Sequence, residues 1–383
     1  MQPQVSQNGV PPGRAFGVPV LSDLGDLAGR RVLVRADLDA GDHDPSSPLA
    51  RRRLELLLPT LGILVDKAAE VTVCGHAGDL DAKPDDAAFS FVCQQVTSAF
   101  PEVVVLPNLA GERERTGDKS LVAELVRGQD AFVNEAFQWC WLALASIVGP
   151  PGALPSAAGP RLVADLELLE PFLHAPPRPF VVVLGSDQSL SRLPGIRALI
   201  LRADAVLLGG AMALPFLEAI GARPQQSTET ELLAECRACF GLAREIRHGV
   251  HLPSDLVWEA LDGSMTLAPS GALVDGSVSD IGPTTRLRFS EVLEGAASVL
   301  WVGALGRSED SRFAAGTRSV ASALPGRGHV VLGGDALVAS LDDDVLQAAT
   351  GILSATDSAV ALLKDGDLPG LIALRARSVR PAT

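Results

Sequence analysis

The sequence predicts an α/β protein with two doubly wound parallel-sheet domains joined by an interdomain helix. Short apolar runs of strand length alternate with longer segments in which apolar residues recur at helical spacing. The short runs are apolar on both faces, which is typical of parallel strands covered by helices on both sides. A chain of 383 residues is also long enough to form two domains.

The first half contains the elements of one such domain. In chain order they are a strand at Arg31–Arg35, a helix at Arg51–Lys67, a strand at Val71–Cys74, a helix at Phe89–Phe100, a strand at Val103–Leu106, a helix near Ser120–Arg127 and a strand at Ala131–Val133. This alternation predicts a parallel sheet with helices on its faces.

The second half repeats the pattern. Its predicted strands are Pro179–Leu184, Ala205–Leu208, Gly249–Leu252, Ser298–Val302 and His329–Leu332. The amphipathic segment Arg161–His174 precedes them and is predicted to connect the two domains. We therefore expect an N-terminal α/β domain at 1–160, a connecting helix at 161–175, a C-terminal α/β domain at 176–370 and a tail at 371–383 that returns toward the N-terminal domain.

Composition restricts the class of ligand. The hydrophobic fraction of 47% excludes a disordered chain, and the formal charge of −14 argues against nucleic acid, which needs clustered cations. The first twenty residues lack the apolar core of a signal peptide, and no apolar run reaches membrane-spanning length. We expect a cytoplasmic protein with a small-molecule ligand, and neither a nucleic-acid nor a membrane partner.

The five cysteines do not predict a disulfide framework in a chain of this length. Cys236 and Cys239 have C-x-x-C spacing but lie in a helical stretch without a second pair. Residues three apart share a helix face, so packing is the favoured interpretation and a zinc site is not expected.

Ligands of such folds bind at the carboxyl ends of the strands, so the loops that follow the strands are the most informative. Twelve segments resemble motifs of the phosphoglycerate kinase family, in the family's order and over nearly the whole chain. They are Arg31–Gly41 (RVLVRADLDAG), Arg53–Thr60 (RLELLLPT), Cys74–Gly78 (CGHAG), Leu106–Asn108 (LPN), Val133–Phe137 (VNEAF), Leu154–Gly159 (LPSAAG), Leu208–Leu217 (LGGAMALPFL), Leu252–Asp255 (LPSD), Asp280–Pro283 (DIGP), Ala315–Thr317 (AGT), Gly333–Asp335 (GGD) and Leu368–Gly370 (LPG).

The resemblance implies a phosphoryl-transfer fold. In that family the N-terminal domain holds 3-phosphoglycerate in a basic patch, the C-terminal domain holds Mg-ATP, and hinge closure brings them together. The chemistry depends on cations placed around the transferring phosphoryl group. By resemblance, Asp37 would bind the glycerate hydroxyl and Arg53 would support the phosphoryl group.

On the N-terminal side, part of the family pattern is kept and part is replaced. The residues that match are Arg35, Asp37, Arg53, His76 and Asn108. Five basic positions of the patch are replaced by Asp79, Ala110, Trp141, Leu142 and Leu144. Because each charge-assisted contact to phosphate is worth about 1.5–3 kcal/mol, these losses predict negligible binding of 3-phosphoglycerate.

The C-terminal side shows the same mixture. The residues that match the family's nucleotide site are Arg192, Gly209, Gly210, Glu309, Gly333, Gly334 and Asp335. Other positions that match family motifs there are replaced, by Gln188, Thr284, Val302, Ala304 and Ala336, and Asp357 falls in the family's glycine-rich loop. These changes predict that ordinary transfer from ATP to 3-phosphoglycerate is lost.

The replacing residues favour a different ligand. Two Trp and two Leu beside carboxylates would suit an uncharged or cationic organic molecule, and a carboxyl group in such a pocket can act as a general acid. The main hypothesis is a repurposed enzyme of specialised metabolism, a nucleotide-independent cyclase or isomerase with no cofactor and no metal. Its catalytic candidates are Asp37, Asp39, Arg53, His76 and Glu135, and its substrate-binding candidates are Arg35, Asn108, Trp139, Trp141, Leu142 and Leu144.

Two other functions stay open. One is a phosphotransferase of the phosphoglycerate kinase type with an altered acceptor, which would use Mg-ATP. The other is a non-catalytic binding or scaffold protein. Structural roles are also open: Trp139 and Trp141 could fill a core or cover an interface, and Glu135 could be structural.

Overall fold

The structure is a computed structural model that describes residues 15–39, 48–67, 69–78, 80, 86–185, 193–222 and 229–376. At 15, 48–53, 86–88 and 193–194 it describes the backbone only. The chain divides into two compact units: unit 1 comprises Met1–Glu170 and Asp365–Thr383, and unit 2 comprises Pro171–Lys364.

Unit 1 is built on a five-stranded sheet in which every pairing is parallel. Its strands are β1 (Arg31–Arg35), β2 (Glu70–Cys74), β3 (Val104–Val105), β4 (Ala131–Asn134) and β5 (Ser156–Ala158), in the spatial order β3-β2-β1-β4-β5. The helices are α1 (Pro48–Asp66), α2 (Asp86–Ala99), α3 (Glu112–Arg115), α4 (Lys119–Val126), α5 (Ala145–Val148), α6 (Pro150–Ala153) and α7 (Pro160–His174). Strands β1, β2, β4 and β5 are largely buried, and α1 and α2 pack apolar side chains on the sheet, whereas the edge strand β3 is partly exposed.

Unit 2 contains a six-stranded parallel sheet and a separate three-stranded antiparallel sheet. Its strands are β6 (Phe180–Leu184), β7 (Ala205–Leu208), β8 (Gly249–His251), β9 (Asp255–Glu259), β10 (Met265–Pro269), β11 (Ser277–Ile281), β12 (Ser298–Val302), β13 (His329–Gly333) and β14 (Gly351–Ile352). The large sheet has the order β14-β13-β12-β6-β7-β8, and the small one has the order β10-β9-β11.

The described part of unit 2 contains eight further helices. They are α8 (Leu193–Arg202), α9 (Ala213–Ala219), α10 (Thr230–Ile246), α11 (Pro283–Glu294), α12 (Ala315–Ala321), α13 (Asp335–Ser340), α14 (Asp343–Ala348) and α15 (Asp357–Asp365). Trp301 lies fully buried in the middle strand region of the large sheet, where β12 pairs with β6 and β13.

The last described helix, α16 (Pro369–Ala376), belongs to unit 1. The backbone N–H of Gly370 donates to the carbonyl of Cys140 at 3.0 Å. A Cβ added at Gly370 would lie 3.0 Å from both the Cys140 sulfur and an Ile147 methyl group, so glycine permits this close approach to the α5 region.

The predicted class is confirmed, since both large sheets are parallel and covered by helices. The antiparallel sheet β9–β11 was not predicted. Its strand β10 is mostly exposed, so Met265–Pro269 lacks the continuous apolar run that marked the other strands. Among the described residues, no helix is both long and apolar enough to cross a membrane.

Candidate functional site

In unit 1 the matching residues lie where the parallel strands end. Arg35 is the last residue of β1, His76 follows β2, Asn108 follows β3 and Glu135 follows β4. Because parallel strands present their carboxyl ends at one edge of the sheet, these residues are brought to the same side of unit 1.

Arg35 is fully buried and its guanidinium is surrounded by protein groups. Its Nε donates to the Ser146 hydroxyl at 2.7 Å, one Nη donates to His76 Nδ1 at 2.8 Å, and the other donates to the Ala36 carbonyl. The buried Glu114 lies 3.9 Å from the guanidinium and accepts from the backbone N–H of Ser146 at 3.0 Å and from its hydroxyl. Arg35 therefore organises the interior of the site and is not presented at its surface.

His76 is held as a neutral ring. Its Nδ1 accepts from Arg35, so the ring proton resides on Nε2. Burial, followed by the nearby positive charge of Arg35, lowers the pKa of His76 to about 2. The buried Nε2 has no hydrogen-bond partner within the part of the chain that the structure describes, so it is an unsatisfied donor in the interior of the site.

Trp139 covers this histidine. The two ring centroids are 4.2 Å apart, and the indole N–H donates to Asp37 Oδ1 at 3.3 Å. The backbone N–H of Asp39 also points to Asp37 Oδ1, at 3.4 Å, and Asp39 Oδ1 accepts from Gly78 N–H at 3.4 Å. Asp39 thus joins the loops that follow β1 and β2, and Asp37 joins the loop after β1 to the segment after β4.

The other three apolar candidates do not form one wall. Leu144 is buried with Ala136 and Ile147, Leu142 is partly buried against this cluster, and Trp141 is 40% exposed. Trp139, in contrast, contacts the polar candidates His76 and Asp37.

Asn108 fastens two loops together. Its amide oxygen accepts from the backbone N–H groups of Ala77 and Ala110, each at 3.1 Å, and its amide N–H donates to the carbonyl of Ala77 at 3.1 Å. It therefore fixes the segment next to His76, and it also lines a surface cavity of about 540 Å³ between the loop after β3 and helix α4.

Glu135 faces a different set of groups. Its carboxylate accepts from the Thr60 hydroxyl on α1 and from the backbone N–H groups of Arg161 and Leu162, at 3.2 and 3.3 Å, in the first turn of α7. Burial raises its pKa to about 7 against the opposing effect of these hydrogen bonds. A Cβ on Gly159 would lie 2.0 Å from Glu135 Oε2, so glycine is required there.

Two of these partners were missed by the sequence reasoning. Glu114 lies in a run of charged residues, ERER, in which nothing distinguishes the one glutamate that becomes buried. Ser146 follows an apolar stretch and carries no motif of its own. The fold alone brings both of them to Arg35.

In unit 2 a cavity of about 260 Å³ opens between segments that follow β7, β12 and β13 of the large sheet and strand β11 of the small sheet. Its lining residues are Gly210, Ala211, Val278, Ser279, Ala304, Gly306, Arg307, Glu309 and Ala336. Gly210 has φ +57° and Gly334 has φ +103°, conformations that favour glycine. Gly209 and Gly333 are also tightly packed, because an added Cβ would lie 2.4 Å from Leu305 and 3.0 Å from Thr356 respectively.

The charged members of this cavity differ in how they are held. Arg307 pairs with Glu259 and lies over the Phe313 ring, with its guanidinium carbon 4.8 Å from the centroid. Glu309 is exposed on the cavity wall. Asp335 is not a lining residue; it is the exposed first residue of α13, next to the lining residue Ala336. Arg307 was not predicted as a site residue, since only the fold brings it to the wall.

Several sequence predictions cannot be placed. Asp79, Gln188 and Arg192 lie outside the described residues, as does the side chain of Arg53. Thr284 is described: its backbone N–H donates to Asp255 at 3.0 Å at the start of α11.

Comparison with known proteins gives a consistent family. A family model described as phosphoglycerate kinase matches residues 92–364. The chain is 32% identical over 410 residues to a phosphoglycerate kinase of Parafrankia sp. (strain EAN1pec), covering 92% of this chain and 99% of that one. It is 33% identical over 409 residues to a phosphoglycerate kinase of Salinispora arenicola (strain CNS-205), covering 94% and 100%.

Solved structures agree at the level of the fold. The phosphoglycerate kinase from Coxiella burnetii superposes with a TM-score of 0.78 at 23% identity, covering 94% of this chain and 99% of that one. The enzyme from Pyrococcus horikoshii OT3 superposes with a TM-score of 0.80 at 22% identity, covering 93% and 98%.

These relatives correct the main functional hypothesis. A nucleotide-independent cyclase or isomerase of specialised metabolism, a chain that is not an active phosphoglycerate kinase, and a protein without a cofactor are all wrong predictions, because curated kinases match over more than nine-tenths of the chain. The structure also explains why the apolar replacements do not indicate a new apolar cleft: Leu144 packs inside unit 1, and Trp139 covers His76. The chain belongs to the phosphoglycerate kinase family.

Proposed function

We propose that the protein transfers a phosphoryl group between a nucleotide held by unit 2 and an acceptor held by unit 1, as its relatives' name implies. The full-length match to phosphoglycerate kinases carries this proposal. This proposal replaces the interpretation that the loss of basic residues abolishes phosphoryl transfer.

The cavity of unit 2 supports a nucleotide site. It lies at loops that follow parallel strands, where α/β folds bind ligands. Its volume of about 260 Å³ is below the roughly 300–1,000 Å³ of sites that enclose a whole drug-sized ligand, so it would hold only part of a nucleotide. Glu309 would accept hydrogen bonds from a ribose hydroxyl at its wall, and Gly210, with φ +57°, lines the cavity without adding a side chain to it.

The residues present also fit Mg-ATP. Magnesium usually takes one or two carboxylates and completes its shell with phosphates and water, so it does not need a cluster of protein ligands. Among the described residues no group of three or more such side chains forms a metal site, and Asp335 at the start of α13 is the carboxylate proposed to lie near the ion. Mg-ATP supplies the phosphoryl group that is transferred.

The acceptor side depends on His76. Its Nε2–H is buried beside Asp37 and Trp139 without a described partner, and it is proposed to donate to an oxygen of the acceptor. Arg35 acts behind it, because its bond to Nδ1 fixes the ring proton on Nε2. Asp37 is proposed to accept from an acceptor hydroxyl, and Asn108 to hold the loop in place.

3-Phosphoglycerate is the acceptor named by the relatives, and an altered acceptor is the second candidate. One observation favours the second: Arg35 is occupied by Ser146, His76 and the Ala36 carbonyl, so its charge is not presented to a phosphate. Ala110 and Leu144 add no charge nearby.

A cytoplasmic location stays a prediction.

The test is calorimetric titration of the full chain with Mg-ATP and Mg-ADP, followed by an assay of ADP release with 3-phosphoglycerate. We expect nucleotide binding in the micromolar range. Glu309→Ala should weaken it about 5- to 10-fold, the value of one hydrogen bond of about 1 kcal/mol, whereas Glu291→Ala on the exposed face of α11 should not.

Turnover with 3-phosphoglycerate would establish the ordinary acceptor. Nucleotide binding without that turnover would support an altered acceptor, to be sought among other carboxylic acids. Absence of nucleotide binding up to millimolar concentrations together with absence of ADP release would refute the proposal.

A further inference from the structure

Glu135 is a buried carboxylate that connects three elements of unit 1. It is 5% exposed and directly follows β4. Its side chain accepts from Thr60 on α1 and from two backbone N–H groups of α7, while its own N–H donates to the carbonyl of Arg35 at 2.9 Å. Few side chains could replace it, because both the space and the hydrogen-bond donors around it are specific.

The α7 contact is a helix N-terminus, where free N–H groups and the helix dipole favour a negative charge. Arg161 and Leu162 supply these groups in the first turn. The absence of a side chain at Gly159 leaves the room in which the carboxylate sits. Glu135 therefore fastens the start of α7 to the end of β4.

The loop that immediately follows Glu135 carries acceptor-side residues. Ala136 N–H donates to the Asn134 side chain at 3.0 Å, and Trp139 N–H donates to the Ala136 carbonyl at 3.1 Å. Trp139 in turn covers His76. A shift at Glu135 would consequently be transmitted over four residues to the ring that covers the proposed acceptor donor.

We propose that Glu135 is a positioning residue for phosphoryl transfer, which locks the first turn of α7 and the end of β4 together and so fixes the loop that carries Trp139 over His76. The kinetic effect of this residue rests on the proposed function. The contact between Glu135 and α7 is supported independently by the hydrogen bonds described above.

Charged neighbours affect the ionisation of this group. Asp165 of α7 raises the pKa of Glu135, and Arg161 of the same helix pairs with Asp165 at 2.8 Å. Thr60, the contact from α1, is uncharged. Because burial raises the pKa of Glu135 to about 7, the closed site holds the proton more tightly than a solvated carboxyl group does, so the contact between β4 and α7 should persist as the pH falls through neutrality.

The experiment compares Glu135→Gln and Thr60→Val with the wild type and with Glu167→Gln, an exposed glutamate on α7. Amide hydrogen exchange at Arg161 and Leu162 reports the contact between Glu135 and α7. Kinetic constants for 3-phosphoglycerate, or for whichever acceptor the ADP-release assay identifies, report its effect on catalysis. We expect about tenfold faster exchange and about a tenfold loss of kcat/KM for the acceptor in both variants, with nucleotide Kd unchanged within twofold. The wild-type kcat/KM should change between pH 8 and pH 6, as Glu135 is protonated, and this change should be absent in Glu135→Gln.

If the amides of Arg161 and Leu162 exchange at the wild-type rate in both variants, Glu135 does not hold the first turn of α7 to the end of β4. Faster exchange with unchanged kinetic constants and an unchanged pH profile would overturn the positioning role alone. If the wild type transfers no phosphoryl group to any acceptor, the proposed function and the positioning role fail together, and the exchange data still decide the contact. Thr60→Val keeps the test valid if Glu135→Gln does not fold.

Discussion

At the scale of single residues, the two arginines of β1 show what the sequence could and could not predict. Arg31 and Arg35 occupy the two ends of one short strand, and both look like candidates for an exposed charge. Arg31 pairs with Asp130 at the surface, where its side chain is half exposed. Arg35 is buried with Glu114, because residues far away in the chain close over it. Position in a strand was predictable, but this difference in burial was not.

This pair makes a matched stability test. We expect Arg35→Met to lower the free energy of unfolding by about 3–5 kcal/mol, because it leaves the buried Glu114 without compensation. Arg31→Met should cost less than about 1 kcal/mol, since it removes only a surface ion pair. Denaturant unfolding of both variants measures the difference. Equal losses would contradict the buried network described for Arg35.

His76 predicts how stability changes with pH. Its pKa is lowered in the folded protein to about 2, from an ordinary value of 6.5, so the unfolded chain binds a proton that the folded chain does not. Its contribution is present above pH 6.5 and is lost as the pH falls, by about 1.4 kcal/mol for each unit below that value. Unfolding at pH 7.5 and 5.5 measures this loss.

His76→Gln should reduce the loss, while the exposed His174→Gln should not. The same acid dependence in wild type and His76→Gln would show that the histidine is not the buried neutral ring described here.

At the scale of elements, the strands whose side chains are buried were predicted more accurately than the exposed ones. Strands β1, β7 and β12 were predicted with the correct ends because each is a run of buried apolar residues between polar ones. The sheet β9–β11 was missed because its side chains are partly exposed and its pairing contains an irregularity between Val278 and Asp280. Neither feature produces an apolar run, and long-range pairing cannot be inferred from local pattern.

That same region contains a testable helix cap. Asp255, the first residue of β9, accepts from the backbone N–H groups of Thr284 and Thr285 at 3.0 and 2.8 Å, in the first turn of α11. We expect Asp255→Ala to cost about 1–2 kcal/mol of stability, the usual value of such a cap. Asp262→Ala, in the turn between β9 and β10, is the control and should cost far less. Thermal unfolding of both variants measures the difference, and an Asp255→Ala variant as stable as the control would contradict the cap.

At the scale of the whole molecule, the sequence indicated the family through the order of motifs, whereas the inference about chemistry was wrong. The order of motifs reflects topology, which survives the loss of individual charges. Activity depends on a few side chains that contact the ligands. The effect of replacing one of them can be judged only when the groups around it are known. Arg35 illustrates this: its identity matches the family, yet its guanidinium is held inside unit 1 by Ser146 and His76. Fold and function therefore have to be tested separately.

The distribution of tryptophans allows the two units to be followed separately. Trp139 and Trp141 lie in unit 1, and Trp258 and Trp301 lie buried in unit 2; these are the four tryptophans of the chain. In a Trp139→Phe/Trp141→Phe double variant, fluorescence reports unit 2 alone.

We expect Mg-ADP at one hundred times its Kd to raise the free energy of unfolding seen by these tryptophans by about 2.7 kcal/mol, since a ligand bound only to the folded state stabilises it by mass action. The complementary variant, Trp258→Phe/Trp301→Phe, reports unit 1 and should show a smaller change if the nucleotide contacts unit 2. Both tryptophans of unit 2 are buried, so this variant is first checked for wild-type nucleotide affinity. A shift confined to the unit 1 tryptophans would contradict the placement of the nucleotide in the cavity of Gly210 and Glu309, because binding energy has to appear in the unit that makes the contacts.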